Sequence, residues 1–317
     1  MPIKAVPPFC QTHKNVLTRR TTSLMTHYFN IAEHDINVVF ENATPIDGAL
    51  IQSLEPFRVE SKPKDLLLQL IVTNDLEPFS PEDTELIRDI DTGNGMTLVD
   101  VLPSGGYQFH IRNLQGKLCC LLHTNKDFSL CRCKLEGNYS MRYFGLNNAL
   151  MLTYAFAGAF RQTLLIHASL VRHENRGYAF TAKSGTGKST HVSLWLRYIP
   201  NCDLMNDDNP VVRVIDGKPY IYGSPWSGKT PCYRNVKAEL GAISRIDRAK
   251  VNSVERLRPI EAFASLLPSC STMKWDKEVF NNTCDTITKI IETTGIYTIH
   301  CLPNKDAAML CQQTIAK

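Results

Sequence analysis

Alternation of apolar and polar positions, broken at short intervals by turn residues, marks the first part of the chain. Residues 28–32, 36–41, 66–72, 96–102 and 107–112 carry this pattern and predict strands. Asp47-Gly48, Asn94-Gly95 and Ser104-Gly105-Gly106 supply the turn chemistry between them. Two further strands, 118–123 and 128–133, are predicted around a turn at Asn125-Lys126-Asp127. Residues 1–140 therefore read as a β-rich N-terminal domain. No catalytic constellation stands out in it, so it reads as a substrate-binding, oligomerising or packing unit, and a homo-oligomer stays open.

From about Met141 the pattern changes. Residues 146–161 are apolar on nearly all sides, which predicts a core helix. A strand over 164–172 and a polar turn follow, and a second strand at 178–181 runs straight into a glycine-rich segment. Residues 190–198 predict a helix in which Val192, Trp195 and Leu196 share a face with Ile199. Another strand is expected at 203–207. Strands at 211–214 and 219–222 flank Asp216-Gly217, a strong hairpin signal. Helices at 261–267 and 305–315 and a strand at 295–301 complete a second domain, residues 141–317. The fold class expected is mixed α/β.

Between the strand ending at Thr181 and the helix lies Ala182-Lys183-Ser184-Gly185-Thr186-Gly187-Lys188-Ser189. A phosphate cradle needs main-chain N–H groups turned onto an anion at a helix N-terminus, with small residues that do not block its approach. Lysine reaches the β- and γ-phosphates and a hydroxyl holds Mg²⁺. The segment supplies these as Lys188 and Ser189, and Ser184, Gly185, Thr186, Gly187 and Thr190 complete the expected nucleotide-binding set. Ala182 stands where the motif has its first glycine, which is tolerable if its φ is negative. A second stretch, Gly223-Ser224-Pro225-Trp226-Ser227-Gly228-Lys229-Thr230, also satisfies the string. It is rejected as the cradle because Pro225 removes an N–H, Trp226 is bulky and no helix is predicted after it.

Asn206-Asp207-Asp208 follows the cradle helix at the end of a predicted strand. Alone, these residues would read as a solvated turn before Asn209-Pro210. Beside bound phosphates, one carboxylate can hold Mg²⁺ and the other can take a proton from an attacking hydroxyl. Neighbours on a strand face opposite sides, so the two are expected to have separate roles. His167 lies in an apolar run, where a histidine is ordinarily a satisfied core residue.

Charge and composition narrow the partners. The net charge of +4 is spread along the chain and gives no basic stripe, so no nucleic-acid partner is expected. The most apolar run, 149–160, is too short to span a bilayer, so no membrane is expected. Eleven cysteines without an export signal point to reduced thiols and a cytoplasmic location. Cys119, Cys120, Cys131 and Cys133 lack the C-x-x-C spacing of structural zinc sites and read as small apolar strand residues.

The loop at 182–189 followed by Asn206-Asp207-Asp208 resembles the nucleotide-binding core of HPr serine kinase/phosphorylases, shared with ATP-dependent phosphoenolpyruvate carboxykinases. The HPr kinase family carries a catalytic histidine in the strand before its loop. His167 stands fifteen positions before Ala182 (182 − 167), the separation expected of that histidine. The resemblance spans residues 166–228 and implies a PEP carboxykinase-like P-loop domain. It implies Asp207 as catalytic base assisted by His167, Asp208 as support for Mg²⁺ and the acceptor, and Lys188 with Ser189 on the phosphates and metal. Lys229 could then meet the γ-phosphate or an anionic acceptor, with Arg234, Arg256 and Arg258 as further candidates for charge stabilisation.

The reading that follows is an ATP- and Mg²⁺-dependent kinase acting on the hydroxyl of a protein serine or a small molecule. The alternative is a nucleotide-binding regulatory protein without turnover. A carboxykinase-like lyase fits less well, since the metal-ligand lysine–histidine constellation of that family is not found ahead of the loop.

Overall fold

The apolar runs fold into two sheets joined by one long helix in a computed structural model that describes residues 24–42, 44, 47–91, 95–183, 185–228 and 230–316. The first sheet contains β1 (Leu24–Ile31), β2 (His34–Glu41), β3 (Arg58–Val59), β4 (Leu68–Val72), β5 (Glu85–Asp91), β6 (Gly95–Val101), β7 (Tyr107–Asn113), β8 (Leu118–Thr124) and β9 (Leu130–Leu135). Their order is β3-β1-β2-β4-β9-β8-β7-β6-β5. Pairing is parallel between β2 and β4 and between β4 and β9. The last strand begins at Leu130 rather than 128, because Phe128 adopts a left-handed φ of 60° in the turn. Cys120, Cys131 and Cys133 are fully buried there as small apolar residues.

Helix α1 (Tyr139–Ala159) starts at Asn138, whose side chain accepts the Met141 N–H. It packs against β8 and β9 on one side and β10 (Thr163–Leu165) on the other. At Gly145 a Cβ would stand 2.6 Å from the Cys119 carbonyl oxygen, so only glycine allows this approach to the sheet. Tyr154 donates to the Ile31 carbonyl and its ring lies 5.1 Å from that of Trp226. One apolar core thus runs from the first sheet through α1 to Leu165, Val211, Tyr222 and Trp226. The β1–β2 turn seals the same junction. Arg213 donates to the Ala32 carbonyl, Lys237 pairs with Glu33 at 2.7 Å, and His34 Nε2 lies 2.8 Å from the Thr163 hydroxyl.

The second sheet adds β11 (Ala168–His173), β12 (Arg176–Thr181), β13 (Cys202–Asp208), β14 (Val211–Ile215), β15 (Lys218–Tyr222), β16 (Lys237–Arg248), β17 (Ser253–Arg256) and β18 (Gly295–Cys301). Its order is β10-β14-β15-β16-β12-β11-β13, and β18 joins the far half of β16 with β17 beyond it. Side chains alternate between faces with the strand period. Leu170 and Ala179 meet α3 (Pro259–Leu266) and α4 (Lys277–Thr293), whereas Val171, Tyr178 and Phe180 meet α2 (Lys188–Tyr198) and α5 (Lys305–Ile315). Helices therefore cover both faces, a mixed α/β arrangement. No helix among the described residues is long and apolar enough to cross a membrane.

The strand expected over 164–172 is instead two strands. At the break, Ile166 N–H donates to the Pro210 carbonyl and His167 N–H to that of Ser269.

Candidate functional site

Strands β16 and β18 run parallel to β12. Strand β13 runs the same way, since both it and β12 are antiparallel to β11. Their carboxyl ends therefore gather at one edge of the sheet, where open α/β sheets place their ligands. The cradle leaves β12 at that edge and opens directly into α2 at Lys188.

Gly185 has φ 76° and Gly187 φ 125°, and a Cβ at either would meet nothing within 4 Å. Backbone conformation rather than crowding calls for glycine here. Ala182 is not among the residues with positive φ, so its Cβ is tolerated in place of the motif's first glycine. Arg248, the last residue of β16, ties the loop by donating to the Gly185 and Thr186 carbonyls at 2.6 and 3.0 Å and lines the cleft itself. Ser184 and Lys229 lie outside the described residues.

Lys188 Nζ is 2.8 Å from His167 Nε2 and 3.4 Å from the Ala182 carbonyl. An ammonium can only donate, so Nε2 accepts and the imidazole proton sits on Nδ1, 3.1 Å from Asp208 Oδ1. Lys188, His167 and Asp208 form a continuous polar chain across the cleft. Burial pulls the Lys188 ammonium below the usual lysine range, with Asp208 and Asp207 opposing that shift.

Asp207 is only 7% exposed, and its Oδ1 accepts from the Ser169 hydroxyl at 2.5 Å and from Ser189 Oγ at 3.5 Å. Alternation along β13 predicts opposite faces for the two aspartates, yet both line the same cleft. Asp208 is the terminal residue of β13 and has φ 150°, which departs from regular strand geometry and lets its carboxylate return to the side of Asp207.

The cleft has a volume of about 850 Å³. It brings together His167, Gly185, Gly187, Lys188, Ser189, Thr190, Asp207 and Asp208; Thr186 instead lines an adjoining cavity. Ser227 and Gly228 form part of the wall, with Gly228 N–H donating to the Asp207 carbonyl and Ser227 Oγ donating to that of Thr230 at 2.6 Å. The second glycine-rich stretch therefore borders the cleft without cradling it. No helix follows it, and Trp226 is buried in the core. Asn206 fastens it, donating to the Ser224 hydroxyl and the Trp226 carbonyl while accepting from Asn209 N–H. The distant arginines stay outside the cleft. Arg234 pairs with Asp203 and Arg258 with Glu261, and neither these nor Arg256 lines the cleft.

Sequence reasoning passed over Ser169 and Arg248. Only the position of Ser169 two residues after His167, facing the same edge, hinted at a role.

Among the described residues no group of three or more His, Cys, Asp or Glu side chains forms a ready-made metal cage. The oxygens present, one serine hydroxyl beside one or two carboxylates, suit Mg²⁺, which keeps several waters and completes its shell with phosphate oxygens.

No protein-family model matches the chain, and no curated protein matches it. Among solved structures, the HPr(Ser) kinase/phosphatase from Coxiella burnetii is similar over 48% of this chain and 88% of its own, at 9% identity and a TM-score of 0.30.

Proposed function

We propose that the protein is an ATP- and Mg²⁺-dependent phosphotransferase that transfers the γ-phosphoryl group to a hydroxyl acceptor. The observation that carries this reading is the convergence of Lys188, Ser189, His167 and both aspartates on one cleft beneath a glycine loop at a helix N-terminus. The residue pattern of the HPr kinase family supports the same chemistry.

In this reading the loop and Lys188 hold the triphosphate, and Ser189 with Asp207 offers oxygens to Mg²⁺, which would neutralise phosphate charge when bound. The family resemblance implies proton transfer by Asp207, with Asp208 supporting Mg²⁺ and the acceptor. In this proposal the two exchange roles. Asp207 is buried and faces Ser189, whereas Asp208 is more exposed and bonded to the imidazole. The acceptor O–H would give its proton to Asp208 while its oxygen bonds to the γ-phosphorus and the bond to the bridging oxygen breaks, releasing the nucleoside diphosphate. Lys188 would exchange His167 for the γ-phosphate, freeing Nε2 toward the acceptor side.

The test uses γ-labelled ATP and Mg²⁺ with fractionated protein and metabolite pools. Label moving to an acceptor with the wild type but not with Lys188→Ala supports the reading. Tight ATP binding with no label moved in any pool would favour a regulatory nucleotide-binding protein.

A further inference from the structure

A second cavity of about 560 Å³ adjoins the cleft and shares Gly187, Thr190 and Arg248 with it. Its size falls in the range that holds small organic ligands, about 300–1,000 Å³. Beyond the shared residues its walls are largely apolar: Leu194 of α2, Ile246 and Ala249 at the end of β16, and Cys301, Leu302 and Pro303 at the end of β18. A ligand whose phosphates lie over Gly187 and Lys188 would extend its uncharged end into this space.

The polar groups around it are mostly committed. Ala249 N–H donates to the Cys301 carbonyl and Leu302 N–H to Asn252 Oδ1. Arg248 is held by the loop carbonyls. His191 also belongs to the wall and is 2% exposed. Its Nε2 accepts from Trp195 Nε1–H, so the ring proton sits on Nδ1, which has no partner.

We propose that this cavity seats the purine base of the phosphoryl donor, held by shape and apolar contact. The inference rests on the phosphate reading of the cleft and adds to it a prediction about the donor. Apolar walls carry no code for the edge of a base, so ATP and GTP both serve.

Calorimetry with Mg²⁺ and, separately, ATP, GTP and inorganic tripolyphosphate tests this. ATP and GTP should bind within about tenfold of each other, since an apolar pocket separates similar ligands only weakly. Tripolyphosphate should bind about a hundredfold more weakly, having no base to bury. Ala249→Trp, which fills the cavity, should bring ATP toward the affinity of tripolyphosphate and leave tripolyphosphate itself unchanged. Leu302→Asp, at an already exposed position, should act in the same direction and covers the case in which the tryptophan variant does not fold. If tripolyphosphate binds and ATP binds no tighter, the base site is overturned while the cradle stands; GTP rejected by more than about a hundredfold would overturn recognition by shape and apolar contact alone. If neither ATP nor tripolyphosphate binds, the phosphate reading has failed and the base site falls with it.

Discussion

The Ser169 hydroxyl donates to Asp207 Oδ1 at 2.5 Å, between residues directly opposite each other on β11 and β13. Both side chains are buried, so the serine fixes the carboxylate's rotamer and the lone pairs left for other partners. Ser169→Ala removes a hydrogen bond to a charged group, worth about 1.5–3 kcal/mol. The Mg²⁺ concentration needed for half-maximal nucleotide binding should rise about tenfold or more, and Ser169→Thr should restore part of it. An unchanged Mg²⁺ titration with the alanine variant would show that the serine does not position a metal-facing carboxylate.

Asp208→Asn and Asp207→Asn should fail differently. The first should keep Mg²⁺·ATP affinity and lose transfer by about 10²–10⁴-fold, the usual reach of a general base. The second should lose affinity for Mg²⁺·ATP while binding metal-free nucleotide normally. Parallel calorimetry and single-turnover transfer separate the two, and the reverse pattern would return the base to Asp207.

Arg248→Ala should loosen the cradle without touching the cleft carboxylates. Loss of the bonds to the Gly185 and Thr186 carbonyls should raise amide hydrogen exchange across 185–188 and weaken ATP about tenfold. Exchange rates that do not change would place the loop's order elsewhere.

Stability should fall in mild acid, and His34 should account for part of that fall. Burial lowers its pKa from 6.5 to about 3, with the Arg213 and Arg161 charges adding to the shift. Between those values the unfolded chain binds a proton that the native state refuses. Stability from this group is therefore fully present above pH 6.5 and declines as pH drops toward 3. At pH 5 the loss is on the order of 2 kcal/mol. In His34→Gln the drop in unfolding free energy between pH 7 and pH 5 should shrink by roughly that amount; an identical drop would clear His34 of the effect.

Several elements could be read from residue order. Strand β18 and helix α5 occupy the predicted residues 295–301 and 305–315, because each combines a clean period with a defined start. Asn304, for instance, caps α5 by accepting from Ala307 N–H. Helix α4 was not foreseen. Two of its inward positions are Thr283 and Thr286, whose hydroxyls bond back to the Val279 and Asn282 carbonyls and so bury without apolar side chains. Strand β16 also escaped notice, since Glu239, Gly241, Arg245 and Asp247 punctuate its apolar positions. It still forms the centre of the sheet, because its two halves pair with different neighbours along one edge.

The site was legible where chemistry lies close together in sequence. Gly185 to Ser189 needs only a strand before it and a helix after it. The link from Lys188 through His167 to Asp208 could be named as residues but not as a chain of contacts, because a helix start, the break before β11 and the end of β13 set it. Ser169 and Arg248 became visible only through their partners.

The interruption between β10 and β11 gives the imidazole an unusual tether. Its main chain is gripped by the Ser269 carbonyl, and its neighbour Ile166 bridges to Cys270, while the ring itself is 46% exposed to the cleft. The turn after α3 thus aims a side chain it never touches. Alterations in that remote turn would be felt as slower turnover at undiminished donor occupancy, a signature easily mistaken for damage at the cleft.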